Sequence, residues 1–327
     1  MNTSRKPVGH AATTSAADRE VVVALDVGGS GMKCALVRRD GTVTHTEHHL
    51  TRAARGPAAV IDTILDVAEA LADTARREGL APVALGLAVP GVIDEAQGVA
   101  IWSANIGFRD VPLRKLAAAR LGMPAALGHD VRVGGLAEAR LGAGRSARHV
   151  LFVAIGTGIA AAHVIDGAAA AGAHGAAGEF GHVLVRPGGP RCGCGRDGCL
   201  EAVASASAVA RRYAELASTA PDAPEASAAE VATHAPPVDP AGPAGLDGRG
   251  RGTRRRLATG QALFDVEAVV LGGGLARAGA QLLDPLRAAL HDRMTFHREP
   301  RLVPAALGAE AGCLGAALLA LDDLEKP

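Results

Sequence analysis

Residues Gly178 to Glu201 read GEFGHVLVRPGGPRCGCGRDGCLE and gather one histidine, three cysteines and two flanking carboxylates within a short span. Taken as metal ligands, one imidazole and three thiolates form a donor set that suits a closed tetrahedral zinc ion. The four residues are His182, Cys192, Cys194 and Cys199. A catalytic zinc keeps one coordination position open, whereas this set fills all four. The pattern therefore predicts a structural ion.

Such an ion would order a loop rich in Gly and Pro, and it would hold the acidic residues Glu179 and Glu201 in place. The alternative is an ordinary surface loop with free thiols and a redox pair. The glycines between the ligands permit the tight turns that a metal knuckle requires. Disulfides are also disfavoured in a reducing compartment. Both arguments favour the metal.

The composition excludes several classes of function. A chain of 327 residues suggests two domains, and 34 basic residues balance 34 acidic ones, so no net charge attracts nucleic acid or an anionic membrane. Aromatic residues make up 2% of the chain, too few for a platform that stacks single-stranded nucleic acid. No stretch approaches the roughly 20 apolar residues of a membrane span. We predict a cytoplasmic protein whose first 20 residues form a disordered lead-in.

Two glycine-rich elements share one plan of strand, glycine turn and returning strand. The first has its turn at Asp26 to Lys33, and the second at Gly156 to Gly158. A Rossmann fingerprint or a P-loop requires a helix directly after its glycines, and here a strand follows. Each turn alone would be interpreted as an ordinary tight hairpin. The repeat instead predicts two similar lobes, each offering backbone N–H groups to phosphates in a shared cleft.

The rest of the chain alternates strand and helix patterns, which is typical of α/β folds. The predicted elements include a short strand at Thr42 to Thr44 and helices at Ala58 to Arg77, Gly134 to Leu141 and Val203 to Ala217. A third glycine run, Gly272 to Gly274, follows another predicted strand.

Two polar residues stand at positions that favour a functional role. Asn105 lies in the predicted loop Trp102 to Phe108 and could bind a pair of hydroxyl groups, although it is equally typical of a turn. Asp130 follows a predicted strand and precedes a helix, the position where open α/β sheets place reactive groups. Without further context, Asp130 would be interpreted as a helix N-cap.

The segment from Val238 to Arg255, VDPAGPAGLDGRGRGTRR, is rich in Gly, Pro and Arg and has almost no apolar side chains. No packed element is predicted for it. Its composition resembles out-of-frame translation of a GC-rich gene, and resequencing this segment tests that hypothesis.

Together, the two hairpins, the His129-Asp130 step, the GEFGH stretch and CGCGRDGCLE resemble the ROK family of bacterial sugar kinases and related repressors. The resemblance runs from about Val21 to Leu321. It implies an actin-like ATPase (ribonuclease H-like) fold, an α/β fold with two lobes around a cleft. The implied lobes are residues 21–128, completed by a C-terminal helix at 309–324, and residues 129–308 with the zinc loop 178–201.

The resemblance also implies functional residues, with ATP and Mg²⁺ as cofactors beside the structural Zn²⁺. The implied nucleotide site comprises Asp26, Gly28, Gly29, Ser30, Lys33, Gly156, Thr157, Gly158, Gly272, Gly273 and Gly274. The implied catalytic base is Asp130. The implied sugar-binding residues are Asn105, Asp130, Glu179, His182 and Glu201.

These roles imply an ATP-dependent kinase for the 6-hydroxyl of a hexose, with glucose as the leading candidate and a homodimer as the expected assembly. Family repressors carry a DNA-binding domain that the residues before Val21 are too few to supply, so no nucleic acid is expected. The alternatives are a sugar-binding regulator without turnover, a kinase for an N-acetylated amino sugar, or polyphosphate in place of ATP. The family's usual N-D-A-N is His129-Asp130-Val131-Arg132 here, so one expected sugar contact is missing.

Overall fold

The structure is a computed structural model that describes residues 16–217 and 257–326. Its strands are β1 (Glu20–Val27), β2 (Gly31–Arg38), β3 (Val43–Leu50), β4 (Ala81–Val89), β5 (Val92–Asp94), β6 (Val99–Trp102), β7 (Arg109–Val111), β8 (Ala125–His129), β9 (His149–Ile155), β10 (Ile159–Ile165), β11 (Ala168–Ala169), β12 (Ala268–Gly272) and β13 (Arg301–Pro304).

The described helices are α1 (Ala16–Arg19), α2 (Pro57–Arg77), α3 (Leu113–Leu121), α4 (Asp130–Arg140), α5 (Leu200–Ala204), α6 (Ala206–Ala217), α7 (residues 257–264), α8 (Ala280–His291) and α9 (Ala311–Glu325). Short 3-10 turns occupy Ala53–Arg55, Phe180–His182, Gly274–Ala278 and Gly308–Glu310.

The first sheet has the strand order β3-β2-β1-β4-β8, in which β1 is antiparallel to β2 and parallel to β4. Its central strand β1 is an almost continuous apolar run because both faces of the sheet are covered. Val23 and Leu25 pack with helix α2 residues on one face. Val22 and Ala24 pack with helix α9 residues on the other.

The second sheet repeats this topology with the order β11-β10-β9-β12-β13. Strand β9 is antiparallel to β10 and parallel to β12, as β1 is to its neighbours. Each sheet therefore presents one glycine turn, between β1 and β2 in the first and between β9 and β10 in the second. The internal repeat predicted from the sequence is present.

Helices α4 and α9 pack against each other and lie between the two sheets. Helix α9 contacts β1 and β4 of the first sheet, whereas α4 also contacts β9 and β10 of the second. Arg140 of α4 makes a bidentate ion pair with Asp322 of α9, with both N–O distances at 2.7 Å. This helix pair connects the two halves of the molecule.

Several elements differ from the sequence-based predictions. Strand β3 extends to Leu50, well beyond the predicted Thr42 to Thr44, because it pairs along β2. Helix α4 begins four residues earlier than predicted. The single helix predicted from Val203 to Ala217 is two helices, because Ser205 adopts an extended conformation and its hydroxyl caps α6 by accepting from the N–H of Ala208.

The small sheet β5-β6-β7 was not predicted, and the predicted loop Trp102 to Phe108 connects its last two strands. The last five residues of the predicted disordered lead-in are ordered, because α1 occupies Ala16–Arg19 and β1 starts at Glu20. Residues 1–15 and the Val238 to Arg255 segment lie outside the described residues. Within residues 16–217 and 257–326, no helix has the length and apolar character needed to cross a membrane.

Candidate functional site

Asp130 and His129 lie where strand β8 meets helix α4. The N-cap role falls to His129, whose Nδ1 accepts from the N–H groups of Val131 at 3.2 Å and Arg132 at 3.4 Å. Asp130 is instead the first helical residue, and its carboxylate accepts from the N–H of Val131 at 2.7 Å. Burial raises the pKa of Asp130, while that N–H and the charges of Arg132 and Lys33 oppose the shift. The carboxyl group is thus tuned towards a higher pKa than an exposed aspartate has.

The first glycine turn brings a second carboxylate close to Asp130. Lys33 Nζ lies 3.3 Å from Asp26 Oδ2, across the β1–β2 hairpin. Burial raises the pKa of Asp26; the Lys33 charge lowers it and the Asp130 charge raises it further, so the two aspartates share one electrostatic environment. Helix α9 closes this side, because a Cβ on Gly312 would lie 2.3 Å from Asp26 Oδ2.

The backbone of the first turn is held by a neighbouring strand end. The Thr51 hydroxyl donates to the carbonyl of Gly28 at 2.6 Å, and the Thr51 N–H donates to the carbonyl of Ser30 at 3.1 Å. Asn105 lies directly against this turn, since a Cβ on Gly29 would sit 3.1 Å from the Asn105 Cβ. Asn105 is exposed and therefore accessible beside the turn.

The four predicted metal ligands come together in the structure. The His182 Nδ1 lies 3.6 Å from the Cys192 Sγ, and the Cys194 and Cys199 Sγ atoms are also 3.6 Å apart. All four donor atoms lie within 4.8 Å of one another. A tetrahedral ion with Zn–S bonds of about 2.3 Å separates its sulfur ligands by about 3.8 Å, so this donor set fits zinc. The backbone N–H of Arg196 lowers the pKa of Cys194 to about 7, which favours the thiolate that a metal binds.

The loop 178–201, which carries the candidate metal ligands and is called the metal loop below, has its N-terminal end near His129. Glu179 Oε2 lies 3.6 Å from Nε2 of His182, the ring atom on the far side from Cys192. Burial lowers the pKa of His129 to about 4, assisted by the Arg132 charge and opposed by the charge of Glu179. That electrostatic coupling places Glu179 in the neighbourhood of His129 and hence beside the start of α4.

The C-terminal end of the metal loop is attached to the second glycine turn. Glu201 Oε2 accepts from the N–H of Ile159 at 3.0 Å, and Oε1 lies 4.0 Å from the Cys192 Sγ. A Cβ on Gly158 would lie 2.4 Å from Glu201 Oε2, so glycine is required for this approach. Glu201 therefore connects the metal cluster to the turn that contains Thr157, which is exposed.

The third glycine run lies against the same turn. Gly273 has φ +83°, and a Cβ at this position would be 2.4 Å from the Ile155 carbonyl oxygen at the end of β9. Helix α6 also begins here, because the N–H of Ala206 donates to the carbonyl of Gly156 at 2.9 Å. Gly272 to Gly274 and the second turn consequently form one glycine-rich edge.

An ion pair between Arg132 and Glu95, which the sequence analysis did not predict, stabilises the start of α4. Arg132, which is 2% exposed, donates from Nε to Glu95 Oε1 at 2.8 Å and from Nη1 to the Gly175 carbonyl at 2.9 Å. The same Glu95 oxygen accepts from the N–H of His129 at 3.2 Å. No motif marks Glu95, and the only signal for Arg132 was its replacement of an expected asparagine.

Two repeated α/β lobes, each presenting a glycine turn beside a partly buried carboxyl group, define a protein with the actin-like ATPase fold. The sequence profile of the ROK family matches residues 22–323. The chain belongs to the ROK family, as its motifs predicted.

Known proteins similar to this chain include kinases with different named substrates. A glucokinase from Thermotoga maritima is 32% identical over 313 residues, covering 90% of this chain and 96% of the relative. An N-acetylmannosamine kinase from Citrobacter koseri is 30% identical, covering 92% and 99%. The solved ROK family glucokinase from Streptomyces griseus, in complex with glucose and AMPPNP, is 28% identical with a TM-score of 0.78, covering 92% and 99%.

Proposed function

We propose that this chain is a kinase that transfers the γ-phosphoryl group of ATP to the 6-hydroxyl of a hexose, with glucose as the substrate. The observation that carries the proposal is the position of Asp130. It shares an electrostatic environment with the Asp26–Lys33 pair of the first turn on one side, and its neighbour His129 is coupled to Glu179 of the metal loop on the other. Relatives named glucokinase, one of them bound to glucose and an ATP analogue, support the same assignment.

Asp130 acts as the general base in this proposal. Its carboxylate accepts the proton of the sugar hydroxyl as that oxygen attacks the γ-phosphorus. A base is most effective when its pKa approaches the working pH, and burial raises the pKa of Asp130 in that direction. Such proton transfer contributes roughly 10² to 10⁴ in rate.

The two glycine turns and Lys33 hold the nucleotide. Backbone N–H groups at the turns and the Lys33 ammonium group bind phosphate oxygens and align the γ-phosphate with the attacking hydroxyl. A Mg²⁺ ion bound with the nucleotide would neutralise phosphate charge, and the Asp26 carboxylate would hold it. Gly272 to Gly274, against the second turn, provide the edge for the adenosine.

The sugar is bound by groups that the metal loop positions, together with Asn105. Carboxylate and amide side chains can each accept from or donate to neighbouring sugar hydroxyls. His182 directs one ring nitrogen towards Cys192 and the other towards Glu179, so metal binding and sugar binding are coupled through one ring. Glu201 offers its remaining acceptor capacity from the other end of the loop. The zinc ion itself has a structural role.

A kinase for an N-acetylated amino sugar is the second candidate. The relative named N-acetylmannosamine kinase matches this chain nearly as well as the glucokinases do. Moreover, His129 stands in the place of the family's asparagine and uses Nδ1 to cap its own helix, so its contacts at this position differ from those of an asparagine. A coupled ADP-release assay across glucose, mannose, N-acetylglucosamine and N-acetylmannosamine distinguishes the two kinases by kcat/KM.

The variant Asp130→Asn tests the mechanism in that assay. We expect kcat to fall at least ~10²-fold with the fold and zinc content retained. Asp166→Asn is the matched control, because Asp166 is exposed and lies in the distant β10–β11 turn. Unchanged turnover in Asp130→Asn would remove Asp130 from the mechanism. Wild-type protein that binds a sugar by calorimetry but phosphorylates none would be a regulator instead of a kinase.

A further inference from the structure

Strand β3 carries a second cluster of potential metal ligands that the proposed kinase site does not use. Alternate residues of a strand share one face, which places His45, Glu47 and His49 together. The register pairs Cys34 of β2 directly with Glu47, so the cysteine lies on this same face. Helix α2 covers that face of the sheet, and Cys34 belongs to the core beneath it.

The donor atoms of this cluster are close together. The Cys34 sulfur, a Glu47 carboxylate oxygen and a His49 ring nitrogen all lie within 4.8 Å of one another. His49 Nε2 is 3.0 Å from Glu47 Oε1, and His45 Nε2 is 3.6 Å from Glu47 Oε2. Donor atoms around a tetrahedral zinc ion are separated by about 3.3 to 3.8 Å, given its bond lengths.

Two atoms of the cluster are buried without a hydrogen bond. The Nε2 atoms of His45 and His49 are shielded from solvent, and neither forms a hydrogen bond within the described structure despite the adjacent carboxylate. Leaving a buried polar atom unsatisfied is unfavourable, and a bound cation would engage the lone pair of His49 Nε2. His45 lies beside the other oxygen of Glu47 and would support that ligand as an outer partner.

We propose that Cys34, Glu47 and His49 form a second site for Zn²⁺ or a similar divalent transition metal, with three protein ligands. A thiolate together with an imidazole selects such ions over Mg²⁺ and Ca²⁺, which take oxygen ligands. A surface cavity of 350 Å³ lies beside the cluster at His49 and is also lined by His48, Arg52 and Arg55. Metal binding would release the Cys34 proton to solvent, and the resulting thiolate and the Glu47 carboxylate would balance the two charges of the ion.

The position of this site connects it to the first glycine turn. Strand β3 leads into Thr51, whose hydroxyl holds the Gly28 carbonyl, and Cys34 lies three residues after Gly31, where β2 begins. A metal ion here would link β2 to β3 immediately beside the turn. Metal binding would therefore stabilise the hairpin that presents the first turn, independently of the loop cluster and of the kinase assignment.

Metal content measured on three proteins tests this site. Wild type, His49→Ala and His48→Ala are stripped with a chelator, reloaded with Zn²⁺, passed through gel filtration and analysed by mass spectrometry. We expect His49→Ala to hold one zinc fewer per chain than wild type. His48→Ala is the matched control, because its exposed side chain faces away from Cys34, and it should equal wild type. Equal zinc in wild type and His49→Ala would overturn the proposal.

A second measurement distinguishes the strand site (Cys34, Glu47 and His49) from the loop cluster (His182, Cys192, Cys194 and Cys199). In the Cys194→Ser background, which disables the loop cluster, added Zn²⁺ should still raise the thermal unfolding temperature. That rise should disappear in Cys194→Ser/His49→Ala and persist in Cys194→Ser/His48→Ala. A rise that is the same in both double variants would place the second ion elsewhere and reject these ligands.

Discussion

The two glycine turns share one topology, but different forces hold them in place. The first turn is held by burial: Asp26 lies under helix α9 with 18% of its side chain exposed, and Thr51 beside it is fully buried. The second turn receives its carboxylate from outside its own hairpin. Glu201, which accepts from the Ile159 N–H, follows directly after the metal ligands.

The exposure of the loop is consistent with a need for the proposed metal. Most residues from 186 to 198 are exposed, and the buried cluster beside them is small, consisting of Cys192, Cys199 and Ala202. So small an apolar cluster offsets little of the conformational entropy of ordering this stretch. In the proposed arrangement, a hydrophobic core supports the hairpin of one lobe and coordination bonds support that of the other. The two supports should fail under different conditions.

Removal of the metal should have the largest effect, and only on the second turn. Zinc contributes on the order of 10 to 16 kcal/mol to ordering such a site. We expect Cys194→Ser to lose the zinc ion and to raise the KM for sugar at least ~10-fold, since Glu179 and Glu201 lose their support. Hydrogen exchange measured by mass spectrometry should show faster exchange at residues 186–201 and at Ile159.

The same exchange experiment also measures the amides around the first turn. Amides of β1 and β2 should keep wild-type protection in Cys194→Ser, because their burial does not depend on the loop. Asp197→Asn serves as the control, since Asp197 is an exposed loop residue that is not a ligand. Equal loss of protection at both turns would show that the two supports are not independent.

Much of this arrangement could be predicted because its signals are local in sequence. The four metal ligands lie within 18 consecutive positions, His182 to Cys199, and each glycine turn with its flanking strands is one continuous stretch. The plan of strand, glycine turn and returning strand occurs twice in the sequence, so the two lobes were predicted as well. Asp130 was located by its position between a strand and a helix, although its capping role belongs to His129.

Features that depend on tertiary contacts were missed. Strand β3 reads VTHTEHHL, a polar sequence whose extended structure depends on pairing with β2. Glu95 and Arg132 are 37 positions apart, and nothing near either residue indicates that they form a buried ion pair. The break between α5 and α6 depends on the Ser205 hydroxyl, which caps α6. This cap is used because α6 begins against the carbonyl of Gly156, a distant residue. In each case the deciding partner is distant in sequence.

Acid should lower the free energy of unfolding through His129, and this effect is intermediate in size among the predictions. Burial lowers the pKa of His129 from 6.5 to about 4, so below pH 6.5 the unfolded chain takes up a proton that the folded protein refuses. The contribution is complete above pH 6.5 and is lost as pH falls towards 4. Between pH 7 and pH 5 the free energy of unfolding should fall by about 2 kcal/mol from this group.

The variant His129→Asn isolates that contribution. Asparagine can still cap α4 but does not titrate, so urea unfolding at pH 7 and pH 5 should show this loss removed. His174→Asn is the control, because His174 is exposed and should leave the pH dependence as in wild type. If His129→Asn and wild type lose the same free energy of unfolding between the two pH values, His129 is not the group responsible for the loss of stability in acid.

The smallest effect is expected from Glu201→Gln, which keeps an acceptor for the Ile159 N–H but removes its charge. Hydrogen bonds to charged groups are stronger than neutral ones by about 1 kcal/mol, so substrate KM should rise about 5-fold. Glu201→Ala leaves the N–H without that acceptor and should raise KM further, with zinc retained in both variants. A graded series of wild type, Gln and Ala would show that the carboxylate supports the second turn directly; identical KM values in all three would show that the turn does not depend on the Glu201 side chain.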